Sequence, residues 1–336
     1  MIGLITRCKN EYFIEEFCNY YLKQGIDHIY IIDNNSDDKS IYKNLYNNEK
    51  ISIEYNNEII FGKNQMDFVN IIYKKIKNNF KWIISVDCDE FITTRKNCKN
   101  IIKDELLTTF SKADCIKIPW VMMSCNGIEK SPDSILNTNV YRWNHDIKHP
   151  NYSHVKFRCR YNSIEIKCIF KTKSYNEIST HFPIKCTKNK PLIVESIYNI
   201  EYLKNKYINL REKHIKDGYL LCYHYRTISK EFTKEKINSS SIYKKKKITF
   251  DDIMNSDYSE VLDERLKNII YDDIMNKDYP DLSDNFGDLS DNVWDLSDNV
   301  WDLSDNVGDL SDNVWNLSDN YFLDLSFNKL SGNFYI

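Results

Sequence analysis

The chain has 336 residues, 42% of them apolar, and a formal charge of −3. It can hold one large α/β domain or two smaller ones, and it lacks the clustered basic excess that grips nucleic acid. The charge is uneven: from Asp281 onward there are twelve Asp, no Glu and one Lys, which leaves about +8 for the preceding residues, a mildly basic body suited to phosphates. Ten cysteines fall without a C-x-x-C pair or zinc-finger spacing, which predicts reduced thiols and a cytoplasmic location, and no apolar run is long enough for a transmembrane segment. Met1–Arg7 becomes charged too soon for a signal peptide.

In chain order, Ile2 to Thr6 reads as a strand and is followed by the polar run Arg7-Cys8-Lys9-Asn10-Glu11. Phe13, Ile14, Phe17 and Tyr21 recur at helical spacing, and Gly25 offers a stop. Asp27 to Ile32 reads as a strand that runs into Asp33-Asn34-Asn35-Ser36-Asp37-Asp38, a turn of short acceptor side chains. A helix is predicted over Lys39 to Tyr46, a strand over Ile51 to Tyr55, and a helix over Gly62 to Lys77. The apolar stretch Trp82 to Val86 reads as a buried strand. This β-α-β-α-β-α-β order implies a mostly parallel sheet with right-handed crossovers. Further on, the pattern predicts a helix over Ile101 to Phe110 and a strand over Cys115 to Val121. It gives an exposed loop over Glu129 to Asn139, strand-like stretches over Tyr141 to His149 and Ile164 to Thr172, and a helix over Leu203 to Lys216. Ser229 can cap a helix that starts at Lys230.

In a parallel sheet, ligands sit beyond the carboxyl ends of the strands. Three polar clusters meet that edge: Arg7 to Glu11, Asp33 to Asp38, and the carboxylates Asp87, Asp89 and Glu90. Alternation along a strand puts Asp87 and Asp89 on one side, where like charges repel unless a cation lies between them. Oxygen ligands suit Mn²⁺ or Mg²⁺. The plain alternative is a hydrated strand end. His224 could complete an Asp/Asp/His set, or simply pack among the tyrosines around it. Neither glycine-rich phosphate signature is present, so a nucleotide diphosphate here would need a metal and side chains to neutralise it.

The chain divides into residues 1–240, a helical or linker extension over 241–280, and an acidic tail over 281–336. The tail repeats Asp-Leu-Ser-Asp-Asn-Val-Trp with a period of seven, from Asp281 to Asn316. Asp, Ser, Asn and Gly are poor in helix interiors, which argues against a coiled coil. A disordered or irregular low-complexity segment is the reading, with protein contacts through Trp294, Trp301 and Trp315 as the alternative.

Several blocks in order resemble the family 2-like and family 92-like glycosyltransferases, the former "domain of unknown function 23" group. They are Arg7 to Glu11, Ile29 to Asp38, Gln65 and Trp82 to Phe91, then Trp120 to Gly127, and His224-Tyr225 with Ser229, Glu231, Phe232 and a following Lys. The departures are Met123, where the family often has Gly, and Ile228, where it has Lys. The resemblance implies an α/β GT-A (Rossmann-like) nucleotide-sugar-binding fold. It also implies a metal-dependent transfer of a sugar from a UDP-sugar to a hydroxyl of a glycan or protein-linked glycan. Arg7, Asn10, Glu11 and Asp33 would meet the base and ribose, and Asp87 the ribose or the metal. Asp89 would hold the metal, with His224 a further metal or diphosphate contact. For the base that deprotonates the acceptor, Asp133 is the first candidate and Glu129 the second. The competing classes are a non-catalytic nucleotide- or sugar-binding module and a nucleotidyltransferase on the same carboxylates.

Overall fold

The computed structural model describes residues 1–55, 65–94, 99–149, 159–160, 163–197, 200–201, 207–239, 241–245 and 247–267. The first strand, β1 (Ile2–Cys8), pairs in parallel with β2 (His28–Asp33) on one side and with β4 (Trp82–Ser85) on the other; β3 (Ile51–Tyr55) adds in parallel beyond β2. The crossovers carry α1 (Ile14–Lys23) and α2 (Gln65–Ile76), each with an apolar stripe against the sheet. Gly25 ends α1 with φ +79°, a left-handed conformation that side chains with a Cβ resist.

The expectation of a mostly parallel sheet holds only for this first half. Ser163–Lys171 lies between β4 and β6 (Cys115–Ser124) and runs antiparallel to both, so the sheet as a whole is mixed. Strand direction leaves no mark on side-chain alternation, which is why the sequence did not reveal it. β6 is long enough to serve two layers. Its first half pairs with Ser163–Lys171 and Ile193–Glu195, and its second half with Leu220–His224 and Tyr141–Arg142. Leu220–His224 is also antiparallel to β5 (Glu90–Thr94).

The core centres on Leu4, Ile29, Ile31, Ile83 and Ile84, all nearly or wholly inaccessible. α1 adds the rings of Phe17, Tyr20 and Tyr21, packed around Phe91. Those tyrosines also satisfy backbone groups that pairing leaves over on β5. Tyr21 Oη donates to Glu90 O and accepts from Ile92 N, both at 2.9 Å, and Tyr20 Oη donates to Ile92 O at 2.7 Å.

Other expectations shift locally. In place of a helix over 39–46 there is one 3₁₀ turn, Lys39–Tyr42, with Asp38 at its N-cap accepting from Ser40 N, followed by turns. The predicted loop over 129–139 contains a one-turn helix, Ile135–Thr138, whose N-terminus is held by Ser134 and by Glu16 of α1. Of the helix predicted over 203–216, residues 203–206 lie outside the described residues; among the described ones Glu212–Asp217 is helical, preceded by the strand Tyr207–Ile208. The strand-like stretch 141–149 is limited to Tyr141–Arg142. Among the described residues, no helix is long and apolar enough to cross a membrane. The end of the predicted extension, from 268 to 280, and the repeat tail over 281–336 lie outside the described residues.

Candidate active site

The two aspartates do not sit on a strand as their spacing suggested. β4 ends at Ser85, and Asp87 to Asp89 form a tight turn before β5 begins at Glu90. Asp87 and Asp89 therefore take different partners. Asp87 receives Arg7 Nη2 at 2.5 Å and Lys167 Nζ at 2.9 Å. Asp89 receives Lys236 Nζ at 2.6 Å, and its other oxygen lies 3.8 Å from His224 Nε2. Glu90 Oε2 accepts the Asp87 backbone N–H at 2.8 Å and lies 3.1 Å from Lys167 Nζ.

Strand pairing places His224. The antiparallel register of Leu220–His224 on β5 sets His224 directly opposite Glu90, so both side chains leave the same face. Tyr225 N continues the pairing by donating to Asp89 O at 2.8 Å. On the parallel side His224 faces Met122, and its ring packs against Trp120 with centroids 4.3 Å apart.

Burial governs the protonation of this cluster. It raises Glu90 to about 8 against the pull of Lys167, and depresses His224 to about 4 despite Asp89. Burial also works against ionised Asp87 and Asp89, but Arg7 and Lys167 hold Asp87 well below the usual range, and Lys236 and His224 lower Asp89. Lys167 and Lys236 both remain charged. Their carboxylate partners outweigh the desolvation of the ammonium groups, which leaves Glu90 the least compensated acid.

One oxygen or nitrogen from each of Asp89, Glu90 and His224 lies within 4.8 Å of the others. Glu90 Oε1 and His224 Nδ1 are buried without a hydrogen-bond partner. Two carboxylates and an imidazole match the donor preferences of Mn²⁺, and the unused atoms are what an ion would satisfy, so these residues fit the divalent ion that the resemblance implies.

The remaining sequence candidates divide in two. Asn10, at φ +58°, ties the loop after β1 to the loop after β2: its amide exchanges hydrogen bonds with Asp37, and its backbone N–H donates to Ser36 Oγ. Asp33 is buried beneath that junction and accepts from Tyr42 Oη at 2.7 Å and from Ser36 N. Glu11 is raised to about 7 by burial, against the opposing charge of Lys236 4.0 Å away, and its Oε2 is buried without a partner. A cleft of about 470 Å³ opens beside it, between both loops and the helix Lys230–Ser239, with Asn10, Glu11, Asp37, Phe232 and Lys236 in its wall. Asp133 and Glu129 are exposed and stand apart from the acidic cluster; Glu129 pairs with Lys230 at 2.6 Å.

A model of glycosyltransferase family 92 matches residues 9–266. The chain belongs to that family. The match runs from the loop after β1 to the last described strand and turn, so it takes in Asp87, Asp89, Glu90, Lys167, His224 and Lys236 but not Arg7. No curated protein sequence matches the chain. Among solved structures it is similar to S. aureus TarS 1–349 in complex with UDP-GlcNAc, at 17% identity over 51% of this chain and 45% of that one, with a TM-score of 0.31. It is also similar to HddC from Yersinia pseudotuberculosis, at 10% identity over 58% and 89% of the two chains, with a TM-score of 0.30. The chain spans less than half of the TarS 1–349 chain.

Two lysines of this rim were not among the sequence candidates, and Glu90 was recognised only as part of the acidic triplet. Lys167 is wholly buried on a strand that alternates Ile164, Ile166, Cys168 and Phe170 with Ser163, Glu165 and Lys171, so nothing in the pattern marks it as an inward charge. Lys236 comes one helical turn after Phe232, and only the packed helix shows that it reaches Asp89.

Proposed function

We propose that this family 92 member is a metal-dependent glycosyltransferase of GT-A architecture. It would move a sugar from a nucleotide-sugar donor, a UDP-sugar, to a hydroxyl of a glycan or protein-linked glycan. One observation carries the reading. The loops after β1 and β2, the Asp87–Glu90 turn and the end of the Leu220–His224 strand come together at one rim, with unsatisfied metal donors among them.

In this reading Asp89, Glu90 and His224 hold Mn²⁺ or Mg²⁺. The ion supplies a positive charge against the donor's diphosphate as the bond to the sugar breaks. Arg7 fixes Asp87 so that it can face the ribose or the ion. Asn10, Glu11 and Asp33 shape the place for the base and ribose, Asp33 from beneath through Ser36 and Tyr42. Asp133, with Glu129 second, serves as the base for the acceptor hydroxyl. Residues 1–240 carry these groups, residues 241–280 are an extension, and the repeat tail is an appendage that can make protein contacts.

The test is turnover or hydrolysis of UDP-sugars with and without a chelator. Metal-dependent release of UDP supports the proposal, and undiminished release in EDTA contradicts it. Release of pyrophosphate from a nucleoside triphosphate would instead mark a nucleotidyltransferase. Asp133→Asn is expected to lower transfer to an acceptor more than it lowers hydrolysis.

A further inference from the structure

Lys236 stands between two acids and the open cleft. Its Nζ lies 2.6 Å from Asp89 Oδ2 and 4.0 Å from Glu11 Oε1, it stands 5.5 Å over the ring of Phe232, and the residue lines the cleft wall. The ammonium thus occupies one flank of a carboxylate whose other oxygen faces His224. A divalent ion on Asp89, Glu90 and His224 would meet that ammonium at close range, and like charges at such a distance in a half-dry site repel strongly. Glu11 and the cleft give the lysine somewhere to go. Glu11 Oε2 is buried without a partner, and the cleft, walled by Lys9 and Lys236 and by Glu11, Asp37 and Glu235, opens beside it.

We propose that Lys236 is a transferable counter-ion. It neutralises Asp89 before a metal binds, yields that carboxylate to the metal, and then grips the diphosphate of the nucleotide from the cleft side. This role rests on the reading of the rim as a metal and nucleotide-diphosphate site. It adds a specificity device: the lysine penalises a metal that arrives without a diphosphate to receive the displaced charge. Lys167 has no such freedom. It is buried and held by Asp87, Glu90 and Thr180 O together, so it remains a fixed charge.

The account makes two predictions of opposite sign for one substitution. Lys236→Met keeps the stem against Phe232 and removes the charge. It should bind Mn²⁺ alone about tenfold more tightly, because no ammonium competes for Asp89. In saturating Mn²⁺ it should bind UDP about tenfold more weakly, because a charge-assisted hydrogen bond to phosphate is gone. Calorimetric titration of the full chain with MnCl₂, and then with UDP, reads both. Lys236→Arg keeps the charge and should restore the wild-type order of both affinities. A lysine that merely braces the rim would instead weaken both ligands together, or neither, and either result overturns the proposal. If the wild-type chain binds Mn²⁺ and UDP but Lys236→Met matches it, the counter-ion role fails while the site stands. If the folded wild-type chain binds neither, the reading of the site fails and takes the proposal with it.

Discussion

Two charged networks among the described residues differ in completeness. Behind the rim, Arg142 forks onto both oxygens of Glu212 at 2.7 and 2.8 Å, and its Nε donates to Asp263 Oδ2 at 2.8 Å. Tyr223 Oη and Arg265 N satisfy the rest of Asp263, and His145 N adds to Glu212. Every carboxylate oxygen of Glu212 and Asp263 has a donor. At the rim, Glu90 Oε1, Glu11 Oε2 and His224 Nδ1 have none. The acids of the first network are fully partnered, although Arg265 Nε and Nη1 beside them are not; in the proposed reading the unpartnered acids and imidazole of the rim are the groups that a ligand would satisfy. The closed network binds the segment around Asp263 to strand Tyr141–Arg142 and helix Glu212–Asp217, so part of the stretch that the sequence presented as an extension is bonded into the body.

The harshest way to break the comparison is Arg142→Met. It leaves the buried Asp263 and the quarter-exposed Glu212 without their cation and should cost about 3 kcal/mol in urea unfolding. The matching change at the rim, Asp89→Asn, should leave the unfolding midpoint close to wild type while UDP-sugar turnover falls about 10²-fold. Equal stability losses for the two variants would erase the distinction.

The sequence carried the parallel half of the fold and the meeting of three polar loops, because both follow from alternation and helical spacing in local stretches. Ile51–Tyr55 was bounded as the structure has it, and β1, β2 and β4 within two residues at either end. The rim's real partners were not legible. His224 reaches Glu90 through an antiparallel register more than a hundred residues away in sequence, and the D-x-D spacing reads alike on a strand or in a turn. Two lysines complete the charge balance from elements whose orientation only packing decides.

A gentler test uses His145 of the closed region. It is wholly buried, accepts the Met122 N–H through Nε2, and burial holds its pKa well below 6.5, with Arg142 and His149 adding to the effect. Below about pH 6.5 the unfolded chain takes up a proton that the folded chain refuses, so stability falls as pH drops. One unit below, the loss from this group is about 1.4 kcal/mol. His145→Gln should flatten that part of the pH profile of the urea midpoint, and an unchanged slope would remove His145 from the account. Tyr20→Phe sharpens the picture at the smallest scale. It deletes one hydrogen bond to Ile92 O and should cost about 1 kcal/mol with turnover intact, since the edge of β5 keeps its bonds to Tyr21.

The most direct measurement is calorimetric titration of Mn²⁺ into the wild-type chain and into Asp89→Asn near neutral pH, with circular dichroism to confirm that both are folded. The account predicts one ion per wild-type chain and no measurable binding to Asp89→Asn. Binding of the same strength to both, or to neither, would contradict it.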